Sequence, residues 1–260
     1  MQRRHFLQTG LTSLASLITL AIPYQTFATE MAQIPQKKAL IIVSLADNAN
    51  QGIVPIKSTL GNGQNPSTNL YWGALYGVKT YFKRAADYSV TKGPDYSALT
   101  GALDSIKIIP THDDTFDITA IAFDGALQNI ALKRYYQALL QNAEGYDLVV
   151  YIGHNPLMDI RPNFDFKSGQ AYIDRAKPVK TVVLACQSRS FFKDSIAKTN
   201  GVPYVMTNGN MAPEAYTLDG ILKAWMKDEG PETARRNAAQ KYAEYQKIPL
   251  KNAMWLFKSP

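Results

Sequence analysis

Apolar and polar positions along the chain follow two alternating patterns. Short, continuous apolar runs are typical of strands that are buried on both faces, and they alternate with stretches whose apolar residues recur every three or four positions, as in helices. The clearest run is Leu40–Leu45, which ends at Asp47-Asn48. Further strands are predicted at Ser105–Pro110, Asp147–Ile152, Thr181–Ala185 and Pro203–Met206, with a short extra strand at Ile118–Phe123.

The helical pattern predicts five helices between and after these strands. The first opens at Pro66-Ser67 and carries Leu70, Ala74, Val78 and Phe82 on one stripe. Others are predicted over Leu127–Leu139, from Ser188 onwards, over Ala215–Trp225, and from Pro231 to a break near Pro249.

This order of strands and helices predicts an α/β fold with a single doubly wound, mainly parallel sheet and helices on both faces. We expect one domain over residues 29–260. Ligands of such sheets bind at the carboxyl ends of the strands. Polar loops follow the predicted strands, among them a long loop from Asp47 to Asn65 and the segments His112-Asp113-Asp114 and Thr207–Asn210.

The first 28 residues resemble a twin-arginine export signal. Arg3-Arg4 would be the arginine pair, and an apolar stretch from Leu11 to Ile22 follows, which is too short to span a membrane comfortably. Small residues at Thr26 and Ala28 occupy the two positions that a signal peptidase reads. We therefore expect a periplasmic or secreted protein without membrane attachment after cleavage.

Composition narrows the function classes further. The net charge is +7, yet no basic stripe interleaved with aromatic residues is present, so a nucleic-acid partner is not expected. The single cysteine excludes an internal disulfide and a CxxC motif. No metal-binding or phosphate-loop spacing occurs, and we expect no metal or other cofactor.

Two residues are the best candidates for chemistry. Cys186 ends the run Val182–Ala185, and His154 ends the run Val149–Gly153. If these strands are neighbours in a parallel sheet, both side chains lie at the same edge, where an imidazole can activate a thiol as a nucleophile. Taken singly, such a cysteine is more often a buried apolar residue, and such a histidine a hydrogen-bonded loop residue.

The stretches Tyr151–Asn155 and Val183–Ser188 resemble the caspase–gingipain clan of cysteine peptidases, including its caspase-like and CHAT branches. The similarity in element order spans roughly residues 38–210. It implies a caspase-like fold in which Cys186 is the nucleophile and His154 its acid/base partner, acting on a peptide or protein substrate. The family usually has Gly directly after the histidine, where this chain has Asn155-Pro156. Residues 153–159 also resemble secreted bacterial proteins without an assigned activity.

Other polar residues are candidates for substrate binding, and two rival functions stay open. Asp159 and Asp165 either select a basic substrate side chain or are surface acids. One rival is a non-catalytic protein of the same fold that binds a ligand or partner through its polar rim. The other is a metal-dependent hydrolase centred on His112 and His154. The remaining substrate-binding candidates are Asn155, Gln187, Asn48, Asn62 and Asn208.

Overall fold

The structure, a computed structural model, describes residues 37–160, 164 and 177–260, which all fall within one compact unit. The proposed signal over residues 1–28 and Asp165 lie outside the described residues. The strands are β1 (Lys37–Ser44), β2 (Tyr88–Lys92), β3 (Ala102–Pro110), β4 (Phe116–Phe123), β5 (Leu148–Ile152), β6 (Val179–Leu184), β7 (Gly201–Thr207) and β8 (Phe257–Lys258). The helices are α1 (Val78–Arg84), α2 (Gln128–Gln141), α3 (Ser188–Ile196), α4 (Ala215–Met226), α5 (Pro231–Gln246) and α6 (Leu250–Leu256).

The described strands form one eight-stranded sheet in the order β2-β3-β4-β1-β5-β6-β7-β8. The five central strands run parallel, namely β4, β1, β5, β6 and β7. At the two lateral edges, β2 and β3 on one side and β8 on the other pair antiparallel. The predicted α/β class with a single, mainly parallel sheet is therefore confirmed.

Helices cover both faces of the sheet because the central strands are apolar on both faces. In β1, Ile41 and Val43 pack into one core cluster with residues of α1, α4, α5 and α6. The intervening Leu40 and Ile42 pack into a second cluster with residues of α2 and α3. This alternation within one strand explains why its sequence reads as an uninterrupted apolar run.

The helix predicted from Pro66 is wrong over its first half, because residues 66–77 form turns and α1 begins only at Val78. The buried Asn69 side chain fastens this segment to the end of β1, accepting from the N–H of Ala46 at 3.0 Å and donating to its carbonyl at 2.8 Å. A side chain at Gly73 would place Cβ 2.1 Å from the carbonyl oxygen of Ser67. The apolar positions of the stripe do pack inwards, but Leu70 and Ala74 lie in turns and only Val78 and Phe82 lie in a helix.

The orientation of β3 corrects the predicted position of His112. Because β3 runs antiparallel to β4, with Ile108 opposite Ile118, the residues after Pro110 lie at the end of the sheet where β1 and β4 begin. His154 follows the other end of β5. The segment His112-Asp113-Asp114 therefore lies at the amino ends of the parallel strands, whereas His154 lies at their carboxyl ends. This separation removes the geometric basis for a metal site shared by the two histidines.

Three further strands depart from the sequence-based expectation. The short extra strand is β4, a full eight-residue strand that pairs with β1 in parallel register. The short edge strands β2 and β8 were missed. Among the described strands, each of the two pairs with a single antiparallel neighbour. Strands of five and two residues are too short to show a periodic pattern in the sequence.

Candidate active site

The two candidate residues lie at the carboxyl ends of adjacent strands. β5 and β6 are direct parallel neighbours, with Ile152 opposite Leu184, as the sequence predicted. His154 follows Ile152 by two residues, and Cys186 follows Leu184 by two residues. Both side chains line one cavity at this edge of the sheet, with a volume of about 350 Å³.

A carboxylate holds the imidazole of His154, whose side chain is only 6% exposed. The Nε2 atom lies 2.6 Å from Oδ2 of Asp159, which also accepts the backbone N–H of Gly52 at 3.0 Å. An ionised carboxylate is an acceptor only, so we infer that Nε2 carries the proton and that Nδ1 is the nitrogen with a free lone pair. A single 3₁₀ turn, Pro156–Met158, brings Asp159 back to the ring.

The backbone before His154 is fixed by a glycine that no other residue replaces without strain. Gly153 has φ +145°, and a Cβ there would lie 2.6 Å from the carbonyl oxygen of Ser44. Its N–H donates to Leu184 at 3.2 Å, and the buried Tyr151 hydroxyl donates to the carbonyl of His154 at 3.1 Å. These two hydrogen bonds anchor the histidine loop to β6 and to the end of β5 itself.

Asn155 joins the two candidate loops and is completely buried. Its Oδ1 accepts the N–H of Leu157 at 3.0 Å and so caps the 3₁₀ turn, while its Nδ2 donates to the carbonyl of Cys186 at 2.7 Å. The side chain of Asn155 therefore binds backbone groups of the two loops and does not line the cavity.

Cys186 is half-buried, and its sulfur contacts the loop that follows β7. Sγ accepts the backbone N–H of Met211 at 3.4 Å and lies 3.7 Å from the carbonyl oxygen of the same residue, to which the thiol donates. Within the described part of the chain, no hydrogen bond joins Sγ to His154, and none takes the backbone N–H of Cys186.

The chain turns sharply from β6 into α3 directly after Cys186. Gln187 adopts a left-handed conformation at φ 49°, a strained geometry for a residue with a side chain. The N–H of Gln187 donates to the carbonyl of Gly209 at 2.9 Å, and its side chain donates to Asn210 at 3.1 Å. The turn places Cys186 just before the N-terminus of α3, where the helix dipole favours negative charge.

Two buried hydroxyl groups, those of Ser188 and Thr207, stabilise the turn after Cys186. Ser188 and Thr207 lie 3.0 Å apart at their side-chain oxygens, and the N–H of each donates to the hydroxyl of the other. The Ser188 hydroxyl also donates to Val183 at 2.8 Å, and the Thr207 hydroxyl donates to Ala185. The strand that carries Cys186 is thereby tied to α3 and β7.

The cavity walls are largely apolar and come from four loops. The long loop after β1, which the sequence marked as polar, forms one wall, and the loops after β5, β6 and β7 form the others. Sequence reasoning missed most of these residues, because isolated apolar positions in loops have no periodicity. The cavity is lined by Gly52, Ile53, Val54, Ile56, Leu70, Tyr71, His154, Met158, Cys186, Asn210, Met211, Ala212 and Pro213.

Tyr71 is the largest buried polar side chain in this wall. Burial raises the pKa of Tyr71 well above its usual value, and the proximity of the ionisable Cys186 and Glu214 side chains raises it further. The phenol therefore stays protonated at neutral pH beside the cysteine. It is available as a hydrogen-bond donor within the cavity.

The three remaining asparagine candidates do not line the cavity, and their side chains bind nearby backbone. Asn48 exchanges hydrogen bonds of 2.7 and 3.1 Å with Ile56 and so closes the long loop. Asn62 accepts the N–H of Gln64 at 3.0 Å, and Asn208 donates to the carbonyl of Trp255 at 3.3 Å. The neighbouring Asn210 reaches the cavity instead.

No family model, curated protein or solved structure matches the chain.

Among residues 37–160, 164 and 177–260, no group of three or more His, Cys, Asp or Glu side chains is arranged to hold a metal ion. None of the helices described above is long and apolar enough to cross a membrane.

Proposed function

We propose that the protein is an exported, caspase-like cysteine hydrolase that cleaves peptide bonds, with Cys186 as nucleophile and His154 as acid/base. The observation that carries the proposal is the shared cavity at the ends of β5 and β6, which is lined both by the cysteine and by an imidazole that a carboxylate holds. A thiol, a base and a group that orients the base are the parts that nucleophilic acyl transfer needs.

In the first half of the reaction, the sulfur of Cys186 adds to the substrate carbonyl carbon as its proton passes to Nδ1 of His154. The tetrahedral intermediate collapses with cleavage of the C–N bond, and the imidazolium returns the proton to the leaving amine. In the second half, His154 takes a proton from water, the resulting hydroxide adds to the thioester, and the thiol and a carboxylic acid are released.

Asp159 acts on this reaction through His154 rather than through the substrate. Its carboxylate fixes the ring so that Nε2 is the protonated nitrogen, and it stabilises the imidazolium that forms when the thiol loses its proton. This role replaces the selection of a basic substrate side chain that the sequence alone suggested, because the same Oδ2 is already bonded to His154 and Gly52.

Negative charge that develops on the sulfur and on the substrate oxygen has donors available nearby. The backbone N–H of Met211 already donates to Sγ at 3.4 Å, and this bond strengthens as the thiol becomes a thiolate. The backbone N–H of Cys186 has no partner in the described part of the chain and is free to bind the oxyanion.

A second candidate function is a non-catalytic protein that binds a ligand in the same cavity. It is favoured by the contact of Sγ with both the N–H and the carbonyl of Met211, which resembles the environment of a structural cysteine. For catalysis, the thiol must turn from the Met211 carbonyl towards His154.

Alkylation of Cys186 by iodoacetamide separates the two candidates. If the thiol is paired with His154, the native protein reacts faster at pH 7 than the urea-unfolded chain, and His154→Ala slows the reaction. Cys186→Ser keeps the size of the side chain and controls for labelling elsewhere. A native thiol that reacts only after unfolding contradicts the enzymatic proposal and supports the binding protein.

A further inference from the structure

Among the residues that the structure describes, the lining of the cavity beside Cys186 includes no carboxylate and no Lys or Arg side chain, and His154 is its single titratable nitrogen base. Val54 and Met158 stand at its rim with 85% and 42% of their surfaces exposed. Exposed side chains of this kind leave apolar surface in contact with water, which a bound apolar group would cover. The long loop after β1 and the 3₁₀ turn after β5 contribute these two residues.

The two carboxylates closest in sequence to the cavity lining are already engaged. Asp159 binds His154 and Gly52 through Oδ2. Glu214 follows the lining residue Pro213, and its Oε2 accepts from the Tyr216 hydroxyl at 2.7 Å and from Gln246 at 3.2 Å. Burial raises the pKa of Glu214, because desolvation disfavours its charged form. Neither acid lines the cavity as a counter-charge for a basic ligand.

We propose that this cavity is the specificity pocket and that it binds an aliphatic side chain of a peptide, the one on the carbonyl side of the scissile bond. The proposal rests on the proposed function, since it places the substrate carbonyl at Cys186. A charged side chain would have to leave water for a pocket whose described lining holds no carboxylate, Lys or Arg to pair with it, whereas an aliphatic one replaces water against Leu70, Met158 and Met211. The substrate class is therefore peptides cleaved after Leu or Met, not after acidic or basic residues.

The test uses peptidyl acyloxymethyl ketones that differ only in the residue next to the ketone, which is Leu, Ala, Lys or Asp. Labelling rates of the full-length protein are followed by intact mass, and Cys186→Ser reports labelling at other positions. We expect the Leu probe to react about tenfold or more faster than the Ala probe, because a few methylene groups in an apolar pocket give that discrimination. The Lys and Asp probes should be slowest.

A variant with a charge at the rim tests the location of the pocket. Val54→Glu should raise the rate of the Lys probe relative to the Leu probe, because the new carboxylate lies beside the apolar lining. Val202→Glu is the matched control, since Val202 is 47% exposed near the start of β7, at the opposite edge of the sheet. It should leave the order of the probes unchanged.

The outcomes distinguish failure of this inference from failure of the proposed function. Rapid labelling of Cys186 with the Lys or Asp probe fastest, or with Leu and Ala equal, overturns the aliphatic pocket and leaves the nucleophile in place. An unchanged Lys-to-Leu ratio in Val54→Glu also overturns it. If none of the four probes labels Cys186 and iodoacetamide reacts only after unfolding, both proposals fail together.

Discussion

The side-chain amide of Asn155 donates a 2.7 Å hydrogen bond to the carbonyl oxygen of Cys186, so the residue after the candidate base holds the candidate nucleophile in position. This contact crosses from the loop after β5 to the loop after β6. It fixes the separation of the two loops independently of the side chains that would carry out the chemistry. The site is thus organised by a buried group that does not enter the cavity.

Asn155→Ala is expected to lower the free energy of unfolding by about 1–3 kcal/mol, because it leaves the carbonyl of Cys186 and the N–H of Leu157 without partners. Urea unfolding followed by circular dichroism measures this loss. The control is Asn208→Ala, which removes a longer, exposed hydrogen bond of 3.3 Å to Trp255 and should cost less. If the two variants lose the same free energy of unfolding, the hydrogen bond between Asn155 and Cys186 does not stabilise the protein more than an exposed one does.

Asp159→Asn is expected to slow both peptide hydrolysis and alkylation of Cys186 at pH 7, by about tenfold or more. The amide keeps the shape of the side chain but no longer stabilises the imidazolium, and it can present the wrong hydrogen-bonding group to Nε2. Steady-state kinetics and iodoacetamide rates measured on the same preparations check this. Unchanged rates with native stability would remove Asp159 from the mechanism.

Gly52→Ala offers a second way to displace the same carboxylate. A Cβ at this position would lie 2.5 Å from Oδ1 of Asp159, so the carboxylate must shift while the backbone of Gly52 is under no conformational strain. We expect a slower alkylation rate, in the same direction as Asp159→Asn, and no further loss in the double variant, because both changes act on one hydrogen bond. Additive losses would contradict this.

The contribution of Asp47 to the stability of the protein should depend on pH. Burial alone would raise the pKa of Asp47, but hydrogen bonds from Asn50, Ala49 and Gln64 outweigh it and hold the pKa below the usual value of 3.8. A carboxyl group with a lowered pKa stabilises the folded state above its unfolded pKa, and this stabilisation is lost as the pH falls through the folded value. The carboxylate therefore stabilises the long loop at neutral pH and stops doing so in acid.

Asp47→Asn tests this dependence by urea unfolding of both proteins between pH 2 and pH 7. The variant should be less stable by a constant amount above about pH 5, and the difference should shrink below about pH 4. A difference that is the same at every pH would mean that the charge of Asp47 is not what stabilises the loop.

Export through the twin-arginine route predicts that replacing Arg3 and Arg4 by Lys leaves full-length precursor in the cytoplasm. Pulse labelling followed by fractionation measures how much mature protein appears outside the inner membrane. A variant with Lys in place of Arg84, which lies at the end of α1, controls for the loss of arginine elsewhere in the chain. Normal export of the paired variant would refute the signal.

Elements that are marked by continuous apolar runs could be predicted from the sequence. Features that depend on a single tertiary contact could not. The prediction that β5 and β6 are neighbours, with His154 and Cys186 at their ends, is confirmed. Both strands could be recognised because buried parallel strands are continuous apolar runs. The direction of β3 was not predictable, since the apolar pattern of one strand does not show whether it runs parallel or antiparallel to its neighbours. The hydrogen bond between His154 and Asp159 was not predicted, because the 3₁₀ turn that returns Asp159 to the ring has no periodicity in the sequence.

The central position of β1 has a consequence for how the molecule folds. Leu40 pairs with Thr119 on one side and with Val149 on the other, so the first described strand acquires its neighbours only after most of the sheet-forming sequence has been synthesised. Chain closure over such separations slows folding, and an apolar strand that waits unpaired is prone to aggregate. Refolding yields should therefore fall steeply with protein concentration, and chaperones that shield the nascent chain should raise the soluble fraction.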